Sequence, residues 1–272
     1  MKRTASAVLL TLGGLVIFVL GNPYYRIFPT NWNLAFYIAM AAAFLVGWGV
    51  LKHIGVPRDW CMAVYALFTA SVALVFLRLG PLNLPSDPTN LVRDLALDKL
   101  SQFLHIVPVL VGLTLLAGGD LPSIYIRRGA LKPGLTFGLI SFVVFAVVGI
   151  VIQAGSAGAF IPKLLPALPW VLLFVFANAT MEELWFRAIF LRPYEALIGR
   201  WGAILVTSVI FGAAHINATY EFPGGGIIFG LVVAGLGVAG AHAMMKDDSL
   251  IGPVLFHAGY DLMILVPVLA SM

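Results

Sequence analysis

Charge is what this sequence has least of. Only 10% of its 272 residues are Asp, Glu, Lys or Arg, against roughly 25% in an average soluble domain, and the mean hydropathy is +1.01. A chain so short of solvated groups cannot clothe a water-exposed globule, which excludes the ordinary soluble enzyme. Cysteine is nearly missing too: Cys61 stands alone, which rules out an internal disulfide and a cysteine-rich metal site. There is no HExxH segment, no low-complexity tract and no repeat of fixed period, so residues 1–272 read as a single membrane domain. The formal charge of +4 comes from loop Lys and Arg and offers no argument for a nucleic-acid partner.

What the sequence has in abundance is long apolar runs. A membrane span needs about 20 mostly apolar residues, and nine candidates stand out: Ala5–Leu20, Asn33–Leu51, Trp60–Leu79, Leu100–Ala117, Gly134–Gln153, Ala167–Leu191, Trp201–Ile216, Gly226–Met245 and Leu250–Ala270. The first is short and the fourth weakly apolar, so eight spans fit as well as nine. With no water in the hydrocarbon to satisfy backbone groups, and runs far longer than a barrel strand, the spans are expected to be helices. The expected fold is all-α, a polytopic transmembrane helix bundle. Lys2 and Arg3 ahead of the first run resemble a signal peptide, but Leu20-Gly21-Asn22-Pro23 is a poor cleavage site, and the run is read as a retained helix.

Loop charge sets orientation, because cytoplasmic loops carry the excess of Lys and Arg. On nine spans with the N-terminus inside, the inner side holds Lys2, Arg3, Lys52, Arg58, Arg127, Arg128, Lys132, Arg192, Arg200 and Lys246. The outer side holds Arg26, Arg78, Arg93, Lys99 and Lys163. This bias places the N-terminus in the cytoplasm and, for a prokaryotic source, the protein in the plasma membrane. Two polar stretches interrupt the pattern. Gly80–Lys99 reads as a loop plus a short amphipathic helix (Leu91, Leu95, Leu97), and Gly118–Lys132 as an interfacial connection; both are expected to be solvated linkers. His53 and His105, alone near span ends, are expected to be structural or interfacial, and His242 interfacial.

Chemistry concentrates after Ala167. Each charged residue near a bilayer centre costs about 2.5–3.5 kcal/mol, so intramembrane ionisable groups are functional candidates by default. Glu182, Glu183 and Arg187 lie inside the sixth run. Spacing of four puts Glu183 and Arg187 on one helix face as an ion pair, while Glu182, turned about 100° away, is left available as a general base. From spacing alone, an inert ion-pair knot between helices remains the alternative. Phe211 precedes His215 by one turn, and Gly212, Ala213 and Ala214 between them permit close approach of another helix. His257 and Asp261 repeat the one-turn spacing around Ala258 and Gly259; either Asp261 orients His257 or both face a common cavity. Three such clusters in one chain point to convergence on one site, yet depth is unresolved. A hairpin at Gly199 sets Glu182 and His215 side by side, whereas His257 follows the Met245–Leu250 turn by only about eight residues, so a level site needs a tilted, broken or sunken helix.

Glu182-Glu183-Leu-Trp-Phe-Arg187, Phe211-Gly-Ala-Ala-His215 and His257-Ala-Gly-Tyr-Asp261 resemble, in that order, the EExxxR, FxxxH and HxxxN/D motifs of the CPBP family of intramembrane glutamic proteases, which includes the Ras-converting CAAX endopeptidase. The resemblance spans roughly Ala167–Met263. It implies catalytic roles for Glu182, His215, His257 and Asp261: the first two would activate a water, the last two would face the oxyanion. Glu183, Arg187 and Phe211 would support the site, and no cofactor would be needed. The CAAX branch has Asn where this chain has Asp261, and an ionised Asp accepts hydrogen bonds but donates none; the residue is therefore either protonated or partnered to the His257 imidazolium. A zinc site of Glu182, His215 and His257 is the alternative reading of the same groups. The implied partner is a membrane-anchored or prenylated peptide substrate in the lipid bilayer, such as a CAAX-like tail, a bacteriocin or a sorting-signal peptide. The competing functions are a catalytically silent scaffold or immunity protein of the same fold, and a proton-coupled transporter, against which stands the lack of paired halves.

Overall fold

The computed structural model describes residues 3–21, 33–86, 89–152, 157–217 and 224–270, with backbone alone for 157–163 and 267–270. Of the positions singled out above, Lys2, Asn22, Pro23, Arg26 and Gln153 lie outside the described residues, as do residues 87 and 88 within the Gly80–Lys99 stretch. The helices are α1 (Arg3–Leu15), continued by a π turn (Val16–Leu20); α2 (Asn33–His53); α3 (Arg58–Leu79); α4 (Leu91–Leu116); α5 (Leu131–Ile152); and α6 (Ala157–Glu183). A second π turn (Leu184–Ala188) joins α6 to α7 (Ile189–Ile198), and α8 (Arg200–His215), α9 (Gly225–Asp247) and α10 (Ile251–Ala270) complete the chain. Every described element is helical, and the protein is a multi-pass helical membrane bundle.

All nine expected runs correspond to helices, with three differences. Seven helical stretches are long and apolar enough to cross a bilayer, whereas α8, at 16 residues, rises only about 24 Å; the apolar stretch Ile251–Val266 of α10 is also short. The fourth run and the amphipathic segment before it form one 26-residue helix, capped by Asn90, whose side chain accepts from Arg93 N. The sixth run does not stop at Leu191; it continues through its π turn to Ile198.

The bundle is sided as lipid requires. Ile140, Val143 and Val147 on α5 are 60%, 56% and 51% exposed, while Glu183, Arg187 and His257 are buried. Small residues allow the close approaches. A Cβ on Gly212 of α8 would lie 2.4 Å from Gly230 O and 2.7 Å from Ala234 Cβ of α9; one on Gly259 of α10 would lie 2.6 Å from Phe142 Cα of α5. Helix α1 belongs to the core: Phe18 stacks at 4.2 Å on Phe186 and meets Trp185 edge-on at 5.2 Å.

Both polar stretches are largely exposed, as solvated linkers are, yet each is tied to other elements by hydrogen bonds. The loop after α3 is tied to α4, because Leu82 N donates to His105 Nε2 (2.9 Å) and Leu84 N to Ser101 Oγ (2.9 Å). His105, buried, also donates through Nδ1 to Ser101 O (2.6 Å). The stretch after α4 is a junction: Leu250 N donates to Tyr125 O (2.9 Å), Ala130 N to Asp247 O (2.7 Å) and Ser249 Oγ to Arg127 O (2.8 Å). Asp248, left-handed at φ 52°, pairs with Arg127 (2.9 Å) and Arg192 (2.5 Å). Turn residues must satisfy their backbone groups within the protein wherever water does not reach, and partners distant in sequence supply them here.

Burial pushes the Tyr125 phenol up to about 12, against the opposing pull of Arg192. The folded state therefore holds this proton more tightly than the unfolded state does. The associated stability is complete below the ordinary 10 and disappears as pH rises through about 12; Tyr125→Phe should flatten the dependence of Tm on pH in that window. Gly212→Leu should cost about 1–3 kcal/mol by overpacking and lower the Tm in detergent. Gly49→Leu, where a Cβ meets nothing within 4 Å, should leave it unchanged.

Candidate active site

The three motifs meet. The Glu182 carboxylate on α6 points its Oε2 at Nε2 of His215 (3.7 Å) and at Nε2 of His257 (3.5 Å). Asp261 Oδ1 lies 3.6 Å from the same His257 nitrogen. Glu182, His215, His257 and Asp261 all line one cavity of about 470 Å³ whose walls include Phe18, Phe174, Phe229 and Leu265.

The depth problem has a definite solution. The turn between α9 and α10 does not sit beside Gly199; Asp248 is pinned to Arg192, inside α7. Arg192 is ten residues beyond Glu182 (192 − 182) and Asp248 nine before His257 (257 − 248), so the two arms match and the side chains come level. The turn is sunken, and the helix that carries Glu182 runs past it.

Tautomers follow from the partners. His215 Nδ1 is 2.7 Å from Phe211 O. A backbone carbonyl only accepts, so Nδ1 carries a proton, and when the ring is neutral Nε2 turns an acceptor lone pair toward Glu182. His257 Nδ1 lies 2.7 Å from Glu183 Oε1, the oxygen that also takes the Arg187 guanidinium. Glu183 and not Asp261 therefore orients His257: Asp261 is on the Nε2 side, facing the cavity with Glu182, and its Oδ2 accepts from Asn178 Nδ2 at 2.9 Å. Phe211 supports all three motifs. Its ring lies 4.1 Å beneath the Arg187 guanidinium carbon, 4.5 Å from the His215 ring and 5.9 Å from the His257 ring.

Four residues outside the motif pattern share this site. Asn178 precedes Glu182 by one turn, a polar side chain in an apolar helix that spacing was able to flag. Tyr260 stacks on His257 at 4.4 Å. Lys99 and Gln102 line the cavity from α4, and no sequence signal connects them to helices 80 residues away. The remaining histidines stay outside: His53 is exposed, and His242 stacks on Trp201 at 5.6 Å. Among the described residues no group of three or more His, Cys, Asp or Glu is disposed as a metal site.

Chemically, two acceptors, Glu182 Oε2 and His215 Nε2, face one point with room beside them. A water placed there would donate one hydrogen to each and turn a lone pair outward.

Because Glu183 and Arg187 are each at most 1% exposed, removing either partner strands a charge. Arg187→Ala should destabilise by about 3–5 kcal/mol, read as a fall in Tm in detergent. Glu183→Gln, which keeps an acceptor for Arg187 and His257, should cost less.

No curated protein and no solved structure matches the chain. Residues 164–263, which supply Glu182, Glu183, Arg187, Phe211, His215, His257 and Asp261, match the family model described as type II CAAX prenyl endopeptidase Rce1-like, and over that segment the resemblance read from the three motifs holds.

Proposed function

We propose that this chain is an intramembrane endopeptidase of the glutamic type, hydrolysing a peptide bond of a membrane-anchored or prenylated substrate with no cofactor. The observation that carries the reading is the meeting of Glu182 Oε2 with two imidazole Nε2 atoms, at 3.7 and 3.5 Å, in the wall of a cavity. The family matched by residues 164–263 is one of proteases, which supports hydrolysis over a silent scaffold. The seven long apolar helices support a reaction carried out within a bilayer. The loop charges argue for a cytoplasmic N-terminus.

The proposed reaction gives every group of the site a role, and Glu182 acts first as base and then as acid. A water donates to Glu182 and His215, and its oxygen attacks the scissile carbonyl carbon as its proton passes to Glu182, the general base. The carbonyl π pair becomes an oxyanion. His257, as an imidazolium, donates through Nδ1 to Glu183 and through Nε2 to that oxyanion, with Asp261 balancing its charge. The tetrahedral species collapses, breaking the C–N bond, and the Glu182 proton moves to the leaving amine. A carboxylic acid and an amine result, and the acid's remaining proton passes to the amine or to solvent. Arg187 and Glu183 hold the His257 ring and touch no reacting atom.

Cleavage of prenylated tail peptides by purified protein tests the assignment. Glu182→Ala and His215→Ala should each lower kcat by about 100-fold or more, with Tm preserved. Asp261→Asn, whose amide oxygen still accepts from Asn178, should retain more activity than Asp261→Ala. Full activity of both Glu182→Ala and His215→Ala would refute the roles. Loss of activity on chelation, restored by added zinc, would favour Glu182, His215 and His257 as metal ligands.

A further inference from the structure

A second cavity, of about 440 Å³, shares no lining residue with the first. One face of α3 (Arg58, Asp59, Met62, Tyr65, Ala66 and Thr69) forms one wall, and the C-terminal end of α4, a 3₁₀ turn (Leu121–Ile124) and α7 form the others. At its outer end Arg58, Asp59 and Asp120 are exposed. Arg192, also in the lining, ties that end through Asp248 to Arg127, on the face that loop charge assigns to the cytoplasm. Thr69 lies eleven residues along α3 from Arg58 (69 − 58), about 16 Å of helix, and is 2% exposed.

Two buried polar atoms of this lining have no hydrogen-bond partner, Thr69 Oγ1 and Arg192 Nε. The first departs from the rule of this bundle. Thr11, Ser71, Ser101, Thr114, Thr207 and Ser208 each donate to the carbonyl four residues back, whereas Thr69 does not. Tyr65, one turn before it, gives its proton to Leu113 O (2.8 Å). Polar groups left unanswered at such depth are costly. The outer end is unanswered too: among the described residues Arg58 pairs with no carboxylate and Asp59 with no cation, while Asp120 accepts from Ser123 N (2.9 Å).

Around apolar walls that include Met62, Ala66 and Ile189, the cavity therefore offers a free cation, two carboxylates, an orphaned guanidinium N–H and, deeper, an orphaned hydroxyl. An occupant that answers them all is amphiphilic, with an anion, an ammonium and an inner acceptor. Asp59 and Asp120 balance Arg58 and Arg192, and Asp248 neutralises Arg192 further, so a net anion is disfavoured against a zwitterion.

We propose that this cavity binds the headgroup and glycerol of a phosphatidylethanolamine of the cytoplasmic leaflet. The phosphate meets Arg58 and Arg192 Nε, the ammonium donates to Asp59 and Asp120, and an ester carbonyl accepts from Thr69. The acyl chains stay in the bilayer, since a volume on the scale of small-molecule sites takes only the polar part of a lipid. Thr69 adjoins Ala70, whose carbonyl takes Nε1 of Trp185, a wall of the catalytic cavity. The lipid thus braces α3 against the segment that carries the first motif. The site stands whether or not the chain is a hydrolase.

Delipidated full-length protein in detergent, mixed with equal amounts of dioleoyl phosphatidylethanolamine, phosphatidylcholine and phosphatidylglycerol, tests the site by native mass spectrometry and by Tm. Phosphatidylethanolamine should be retained about 10-fold or more over either competitor, the range expected of a hydrogen bond to a charged group, and should alone raise Tm. Asp59→Asn should bring it down to the level of phosphatidylcholine, whose quaternary ammonium donates no hydrogen bond. Arg58→Gln should weaken both zwitterionic lipids alike, and Thr69→Val should lower retention without changing the order. Arg58 and Asp59 are exposed and unpaired, so their variants should fold with an unaltered lipid-free Tm. Equal retention of the three lipids by the unsubstituted protein overturns the proposal and needs no variant. Preference for phosphatidylglycerol overturns it in favour of an anionic-lipid site. No retained lipid means a cavity filled by water alone, and a preference untouched by Arg58→Gln and Asp59→Asn puts the lipid elsewhere; either result overturns it.

Discussion

The structure turns on one buried oxygen. Glu183 Oε1 takes both the Arg187 guanidinium, one turn ahead on its own helix, and His257 Nδ1 from α10. A carboxylate in that environment is tolerable only when paired, and its two partners come from the first and third motifs. The need to satisfy this charge therefore docks α10 against α6 and fixes how the His257 ring is turned. Once Nδ1 is committed to Glu183, Nε2 has only the cavity to face, where Glu182 and Asp261 already are.

Helix geometry around that oxygen follows the same requirement. The π turn at Leu184–Ala188 lies between Glu183 and the end of the pair at Arg187, and π bulges of this kind occur where a helix face must be re-aimed. Trp185 and Phe186, in the same turn, pack on Phe18 of the π turn that continues α1, and Trp185 Nε1 donates to Ala70 O of α3 at 3.2 Å. The N-terminal half of the chain, free of motifs, thus contributes the packing that holds the re-aimed segment. On the opposite flank the Asp248 junction sinks the start of α10 to the level of Arg192, and that offset brings His257 level with Glu182.

Much of this was legible in advance. Charge scarcity and run length sufficed for a helical membrane bundle, because hydrocarbon leaves the backbone no alternative. The Glu183–Arg187 pairing followed from four-residue spacing, and small residues at Gly212 and Gly259 marked close helix approaches. What composition left out at the polar stretches was their anchoring to other elements. Composition cannot distinguish a loop bonded to water from one bonded to His105, Ser101 or Asp247, since the same polar groups serve both. Of the two arrangements left open for His257 and Asp261, the shared cavity is the one found; spacing measures neighbours on one helix, and the group that orients the His257 ring, Glu183, comes from another.

By itself the sequence determined the medium, the helical class and the short list of side chains able to do chemistry, since those depend on local composition and a fixed helical period. Only the tertiary structure decided which nitrogen of each imidazole faces the cavity, that Glu183 serves two partners, that Asn178 holds Asp261, and that Lys99 enters from a helix without motifs. Those outcomes depend on how far one helix is sunk against another, and that offset is set by long-range packing and buried charge, to which a one-dimensional pattern of residues carries no coordinate.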